Sequence, residues 1–304
     1  MRVVDTRKMT NSNITNNEFF DLQHLGALEV IGERASEFLQ GQLTCDLRNV
    51  NATKMQQGAF CGVNGRILAM LDVVELQGLH LILPHDLCAP TQASLAKAAL
   101  FSQVKITLSN KWRVFGLKLN DSASLLPFGL SWPVGLNEVS SGNGCYCYRI
   151  HGDLYMLLIE TTAYNQVVNW LYAVGWQILD PLSWHVLQLQ AQRARIYPES
   201  RGLFFPHRIG LQNTGYISFN KGCYRGQEII ARMHYRAQLK HELRIVTIES
   251  QVELVPGNSI ISPVTQDKIG EIIDFCRVAP NSYYVMISVL RDHVGSVLPA
   301  DVAI

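Results

Sequence analysis

Residues 221–228 of this 304-residue chain read KGCYRGQE and combine the side chains best suited to chemistry. A thiol, Cys223, lies two residues after the cation Lys221, and Gly222 and Gly226 flank the centre of the segment. A nearby cation and a helix start both stabilise a thiolate, so Cys223 is either a reactive nucleophile or a small buried apolar side chain. The glycines let a ligand approach the backbone without a Cβ in the way. The segment therefore predicts a binding site beside a thiol.

A strand-to-helix turn is predicted to position these groups. Residues 216–219 are strand-like, and Ile229, Ile230 and Met233 follow Gly226 at helical spacing. The first N–H groups of a helix have no backbone partner and attract negative groups. The turn therefore predicts a place where a carboxylate or a phosphate binds.

The side chains around the turn extend this chemistry. Arg225 and Arg232 add positive charge, and Gln227 offers both a donor and an acceptor to a heterocycle or amide. Glu228 lies in the first helical turn, where it either complements the helix dipole or binds a guanidine-like edge of a ligand. Both interpretations of Glu228 stay open.

The charge of the chain is concentrated in one segment. Residues 193–244 contain ten Lys or Arg against three acids, a net charge of +7, although the whole chain carries only +1. An anionic ligand would be steered to the face that this segment forms. The alternative is a solvated basic face that binds nothing.

Composition limits the compartment and the cofactor. The seven cysteines are an odd, scattered set, which favours a reducing compartment over a disulfide framework. Cys223 has no second Cys or His at ligand spacing, so no metal site is expected in this chain alone. No apolar run approaches the roughly 18 residues of a membrane span. We expect a soluble cytoplasmic protein without membrane contact, whose residues 1–18 are a short disordered lead-in.

Hydrophobic periodicity predicts an α+β chain. Residues 19–110 combine a strand, a helix and a β-meander with a tight turn at Asn64-Gly65. Residues 111–200 repeat this kind of pattern and end in a helix predicted from Asp180-Pro181 to Ser200. Residues 201–240 are predicted to be a connection that carries the motif. Short alternating strands over residues 241–304 predict a small antiparallel β-barrel or sandwich. The periodicity thus predicts two α+β units of similar kind followed by a small β domain.

The motif also resembles a known family. Residues 221–228 match the complete pattern K-G-C-Y-x-G-Q-E of the YgfZ family of folate-binding proteins, which are similar to the glycine-cleavage T-protein. Further agreement lies in residues 38–44 with Asp46, in residues 64–66 and in Trp184. The resemblance covers most of the chain from Leu25 onward.

The resemblance implies an α+β fold of two related α+β domains and a C-terminal antiparallel β-barrel. These domains would form a ring around a central cleft that receives tetrahydrofolate or a one-carbon derivative. It implies a role in assembling or repairing iron–sulfur enzymes, including enzymes that modify tRNA, with iron–sulfur assembly proteins or client enzymes as partners. Cys223 is then the candidate catalytic thiol. Motif and resemblance together predict as folate contacts Lys221, Gly222, Tyr224, Gly226, Gln227, Glu228, Arg232, Trp184 and Arg66. Trp184 would stack on the pterin, or is plain core.

A tetrahydrofolate-dependent aminomethyltransferase is the alternative. T-proteins carry a G-G-x-x-D-D stretch whose acids manage protons during one-carbon transfer. The matching stretch here, residues 65–70, lacks both acids, and Asp72 lies two residues further on the strand face of Met70. The sequence therefore favours an accessory protein without classical transferase activity. Because no RNA-binding motif is present, effects on tRNA are expected to be indirect rather than through direct nucleic-acid contact.

Overall fold

A computed structural model describes residues 17–120, 126–236, 240–262 and 265–293. Apart from residues 17 and 18, the predicted lead-in lies outside the described residues. Within the described part of the chain, no helix is both long enough and apolar enough to span a lipid bilayer.

Strands account for most of the regular structure. The strands are β1 (Glu18–Asp21), β2 (Leu25–Ile31), β3 (Gln56–Cys61), β4 (Ile67–Glu75), β5 (Leu79–Pro84), β6 (Lys105–Ser109), β7 (Trp112–Lys118), β8 (Val139–Gly142), β9 (Cys145–His151), β10 (Leu154–Glu160), β11 (Gln177–Leu179), β12 (His241–Glu249), β13 (Ser259–Ile261), β14 (Lys268–Ala279) and β15 (Ser282–Leu290). The α-helices are α1 (Ala35–Gln40), α2 (His85–Ala99), α3 (Tyr164–Ala173), α4 (Pro181–Gln190) and α5 (Gln227–Arg236).

The first two sheets confirm the predicted α+β character. One sheet has the strand order β3-β4-β5-β2-β6, and the other has the order β11-β1-β7-β10-β9-β8. Strand β1 pairs with β7 and, in parallel, with β11, so the start of the described chain joins the second sheet. The boundaries predicted at residues 110, 200 and 240 stay a prediction.

Strand β4 shows how periodicity positions the site. Its odd-numbered residues from Ile67 to Val73 are buried in the core, while Met70 and Asp72 alternate with them on the less buried face. The Asn64-Gly65 turn predicted from the sequence lies between β3 and β4. Asp72 and Met70 therefore share a strand face, as predicted.

Among the described residues, the C-terminal strands do not form the closed barrel that was expected, so the barrel is not confirmed. Strands β12 to β15 form one antiparallel sheet in the order β12-β15-β14-β13, and among the described residues its two edge strands do not pair with each other. A barrel closes only when the edge strands share a ladder. Strand β13 has three residues, too few to supply one along the nine-residue β12.

Two local predictions also differ from the structure. Residues 216–219 are irregular rather than a strand, because the turn after α1 satisfies their backbone: Thr44 Oγ1 donates to Tyr216 O at 2.6 Å, and Ser218 N donates to Thr44 O at 2.9 Å. Helix α4 ends at Gln190, although the sequence predicted a helix that continued to Ser200.

Candidate functional site

A cavity of about 340 Å³ lies between the first sheet, helix α4 and the segment that follows α4. Its walls are mainly apolar, with Met70 from β4, Ile82 from β5 and Trp184 from α4 among them. Asp72 and Arg193 introduce charge into this apolar wall. A mostly apolar cavity with a few placed polar groups is the usual form of a small-molecule site.

Trp184 forms part of the core as well as the cavity wall. Its side chain is only 3% exposed, and its ring centroid lies 5.3 Å from that of Phe20. A Cβ on Gly116 would lie 2.6 Å from the indole, so the ring packs directly on the backbone of β7. The interpretation of Trp184 as core is confirmed, and its stacking on a pterin stays a prediction.

Asp72 belongs to a hydrogen-bonded network at this cavity. Tyr148 Oη donates to its carboxylate at 3.0 Å, and Gln57 Nε2 donates at 3.4 Å. Burial raises the pKa of Asp72, and nearby Arg193 opposes this only in part. Arg193 in turn donates to Gln57 Oε1 at 3.0 Å and to Tyr216 Oη at 2.9 Å. The network therefore places a carboxyl group in the apolar wall, where burial disfavours its charged form.

A second cavity, of about 620 Å³, adjoins the first. Met70, Ile150, Arg193 and Tyr216 line both. Its wall carries the arginines Arg193, Arg208 and Arg291, together with Glu242 and the histidines His207 and His241. Burial lowers the pKa of His207 to about 4 and also lowers that of His241, so the arginines supply the positive charge. Part of the predicted basic segment therefore faces this partly open cavity.

His185 on α4 connects the first cavity to the C-terminal sheet. It lines the cavity, and its Nε2 lies 3.0 Å and 3.1 Å from the two carboxylate oxygens of Asp274. Asp274 is fully buried and also accepts from Tyr197 Oη at 2.6 Å and Arg195 N at 2.7 Å. Burial alone would lower the pKa of His185, but the Asp274 carboxylate outweighs it and raises the pKa to about 9. Sequence reasoning missed this pair because its members are 89 residues apart.

The motif residues lie elsewhere, since none of residues 221–228 lines either cavity. Lys221 is 8% exposed, and its ammonium group donates to Leu43 O at 2.8 Å and Cys45 O at 2.5 Å. Burial lowers the pKa of Lys221 to about 8. The amine therefore ties the motif to the turn after α1.

Gly226 packs against the β3–β4 turn. Its φ is +80°, and a Cβ there would lie 2.4 Å from Gly62 O and 3.1 Å from Gly65 Cα. Gly222 differs, because it is exposed and a Cβ on it would meet no atom within 4 Å. The absent Cβ of Gly226 thus allows a close approach of two backbone segments.

The remaining predicted contacts are dispersed. Tyr224 is buried, and its backbone N–H donates to Gln227 Oε1 at 3.3 Å. Glu228 and Arg232 are exposed on α5. Arg66 donates to Leu203 O and lies 4.3 Å from the ring centroid of Phe205. Of the predicted folate contacts, only Trp184 lines either cavity.

Cys223 is the exposed thiol. All seven cysteines lie in the described part of the chain, and the other six are buried. Burial raises the pKa of Cys45 and of Cys61 to about 12, which keeps those thiols protonated. Among the described residues, no group of three His, Cys, Asp or Glu side chains could hold a metal ion.

Comparison with known proteins confirms the resemblance to YgfZ. No family model matches the chain. It is 26% identical over 237 residues to a tRNA-modifying protein YgfZ of Colwellia psychrerythraea, covering 77% of this chain and 72% of that protein. It is 27% identical over 235 residues to a tRNA-modifying protein YgfZ of Vibrio atlanticus, covering 77% and 71%.

One solved structure shares the overall fold. The crystal structure of the glycine cleavage system aminomethyltransferase T from Bartonella henselae matches with a TM-score of 0.66 over 90% of this chain and 78% of that chain. Its sequence is 15% identical, so this likeness concerns the fold alone.

Proposed function

We propose that this chain, which resembles the tRNA-modifying YgfZ proteins, binds a reduced folate and acts as an accessory factor in assembling or repairing iron–sulfur enzymes. Support of tRNA modification is then indirect, through client enzymes. The observation that carries the folate part is the 340 Å³ cavity that contains Trp184 and Asp72 within a T-protein fold.

The cavity walls suit a reduced pterin. The bicyclic ring needs an apolar slot, which Trp184 and Ile82 help to form. Its 2-amino-pyrimidinone edge presents hydrogen-bond donors, and a carboxylate such as that of Asp72 accepts from them. Tyr148 and Gln57 hold that carboxylate in place.

The second cavity suits the rest of the folate. A folate ends in one or more glutamate residues with negative charges. Arg193 lines both cavities, and Arg208 and Arg291 add positive charge to the wall of the second. Opposite charges attract strongly in such partly enclosed volumes. We therefore place the pterin in the first cavity and the carboxylates in the second.

The motif then has a different part in the same function. Lys221 and Gly226 fix the loop by their contacts with the turn after α1 and the β3–β4 turn. These contacts present Cys223 to the solvent, where a partner protein can reach it. In this arrangement, residues 221–228 position the Cys223 thiol, whereas Trp184 and Asp72 contact the folate directly.

The folate site is tested with Asp72→Asn. We expect this variant to bind tetrahydrofolate about 10- to 100-fold more weakly than wild type, because a hydrogen bond to a charged group contributes about 1.5–3 kcal/mol. The amide keeps an acceptor for Tyr148 and has nearly the same shape. Isothermal titration calorimetry under anaerobic conditions measures the affinity.

Asp153→Asn provides the matched control, because it makes the same chemical change at an exposed position outside both cavities. It should bind tetrahydrofolate as wild type does. Equal affinity of wild type and Asp72→Asn would contradict this placement of the pterin, and failure of wild type to bind would contradict folate binding itself.

Cys223 is tested in cells. Replacement by alanine is expected to leave tetrahydrofolate affinity unchanged and to lower the activity of iron–sulfur client enzymes to the level of a strain lacking the protein. The physical reason is that an exposed thiol can reach a partner protein, which the buried thiols cannot. Cys88→Ala removes a buried thiol and is the control. Full activity of the iron–sulfur client enzymes in the Cys223→Ala strain would show that the proposed function does not need the thiol.

One observation favours one-carbon transfer as a second candidate. Asp72 lies in the cavity with a pKa raised by burial, a property of carboxyl groups that exchange protons with a ligand. An accessory protein returns methylene-tetrahydrofolate unchanged, whereas a transferase given an amine or thiol acceptor consumes it. Analysis of the folate after incubation separates the two functions.

A further inference from the structure

Arg193 uses most of its hydrogen-bonding capacity within the protein. Its Nε donates to Gln188 Oε1 at 3.1 Å. Its Nη1 donates to Gln57 Oε1 at 3.0 Å and to Ile150 O at 3.4 Å, and its Nη2 donates to Tyr216 Oη at 2.9 Å. A guanidinium group has five N–H donors, so these contacts leave one of them. Arg193 therefore cannot bind a ligand carboxylate through two parallel hydrogen bonds, which need two free N–H groups.

Gln57 joins Arg193 to Asp72. Its side chain is buried, its Oε1 accepts from Arg193 at 3.0 Å, and its Nε2 donates to Asp72 Oδ1 at 3.4 Å. Because a guanidinium group has no acceptor atom, the amide oxygen of Gln57 must face Arg193, and the amide nitrogen then faces Asp72. Arg193 thereby fixes the orientation of the amide that donates to the carboxyl group.

Asp72 keeps acceptor positions for a ligand in the first cavity, which it lines. Its Oδ1 accepts from Gln57, and its Oδ2 accepts from Tyr148 Oη at 3.0 Å. An ionised carboxylate has about four lone-pair sites, so about two of them remain for the donors of a pterin edge. A protonated carboxyl would present a donor of its own to those donors, so this pairing requires the ionised form.

Arg193 is the charged group that favours the ionised form. Burial raises the pKa of Asp72, and the positive charge of Arg193 is the largest opposing cause. The other titratable groups that interact with this carboxyl are Tyr148, Tyr216 and Cys45. Burial raises the pKa of each, to about 12 for Tyr216 and Cys45, so these groups are neutral at pH 7. The positive charge that acts on Asp72 therefore comes from Arg193.

We propose that Arg193 is a positioning residue of the folate site, which acts through Gln57 to present the Asp72 carboxylate as an acceptor to the pterin edge. This inference rests on the proposed function and deepens it. It assigns Arg193 to recognition of the pterin, through hydrogen bonds within the protein, rather than to direct pairing with the folate carboxylates.

Titration of Asp72 in the ligand-free chain tests the link between Arg193 and the carboxyl group. Carbon-13 NMR of protein labelled at the aspartate carboxyl carbons follows its pH midpoint, and the absence of its signal in Asp72→Asn identifies it. We expect Arg193→Gln to raise this midpoint by about one pH unit, because a nearby opposite charge favours the ionised carboxyl. Gln57→Leu should raise it as well, since it removes a donor to Asp72. An unchanged midpoint in Arg193→Gln would overturn the proposal, whatever the affinity for folate.

A double-mutant cycle separates positioning from a general structural role. At the wild-type midpoint, a shift of about one pH unit lowers the ionised fraction of Asp72 from about a half to about a tenth. Arg193→Gln is therefore expected to weaken tetrahydrofolate binding about fivefold in anaerobic calorimetry at that pH. In the Asp72→Asn background it should cause no further loss, because no carboxylate is left to position. Equal losses in both backgrounds would overturn the proposal.

Arg149→Gln is the matched control. Arg149 also makes structural contacts, since it donates to Gly152 O at 2.6 Å and lies 5.8 Å from the Tyr155 ring centroid, but it lines neither cavity. Its replacement should change neither the Asp72 midpoint nor the affinity, and changes as large as those of Arg193→Gln would overturn the proposal. A raised midpoint in Arg193→Gln, in a protein whose wild type binds no tetrahydrofolate, would contradict the proposed function and leave the link between Arg193 and Asp72 intact.

Discussion

Alanine at position 226 is expected to lower the free energy of unfolding by about 2–5 kcal/mol. At φ +80°, an L residue carries steric strain of about 1–2 kcal/mol. The added Cβ would also lie 2.4 Å from Gly62 O and 3.1 Å from Gly65 Cα. Both are backbone atoms and cannot rotate away, so overpacking adds about 1–3 kcal/mol. Urea unfolding measures the loss.

Gly222→Ala is the matched control within the same motif. Position 222 is exposed, and a Cβ there meets no atom within 4 Å, so the change should stay within about 0.5 kcal/mol. Similar losses of unfolding free energy at positions 222 and 226 would show that the backbone contact of Gly226 does not set the cost of a side chain in the motif. A stable Gly226→Ala variant would contradict the packing of the motif on the β3–β4 turn.

The stabilising effect of the His185–Asp274 pair is expected to decline between about pH 6.5 and pH 9. The pKa of His185 is raised to about 9 in the folded chain, against an unfolded value near 6.5. A raised pKa means that the folded state holds the proton more tightly, so the stabilisation is complete below pH 6.5 and is lost as the pH rises through 9. The difference corresponds to about 3 kcal/mol.

Comparison with His185→Gln isolates this effect. Lys221, whose pKa is lowered to about 8, titrates in an overlapping range with the opposite sign, because its burial penalty disappears as the pH rises above 8. Both chains contain Lys221, so its contribution cancels in the difference. Urea unfolding at pH 6 and pH 9 should show a stability advantage of wild type over His185→Gln that is larger at pH 6. An advantage that does not change with pH would refute the charged pair.

The sequence did not predict that basic side chains would line a second cavity. The charge count located a segment of +7, which is a property of composition. Folding places Arg193 and Arg208 in the wall of the second cavity and leaves Arg232 exposed on α5. Which cations face a ligand depends on the packing of elements, and charge counting carries no such information.

The motif illustrates a similar limit. Its helix after Gly226 was predicted correctly, because helical periodicity is a local property. The partners of Lys221, however, are carbonyl groups 178 and 176 residues away. A lysine before a cysteine indicated an anion-binding charge, whereas the folded chain uses the amine to hold the loop.

Sequence alone determined the local elements, the turn at Asn64-Gly65, the shared strand face of Met70 and Asp72, and the resemblance to YgfZ. These follow from side-chain period, turn chemistry and a contiguous motif, all of which operate within a few residues. Tertiary structure decided the strand order of the C-terminal sheet, the burial of Lys221 and the pairing of His185 with Asp274. Those features arise where elements distant in the sequence pack together, and the free energy of a buried charge depends on the neighbours it meets there.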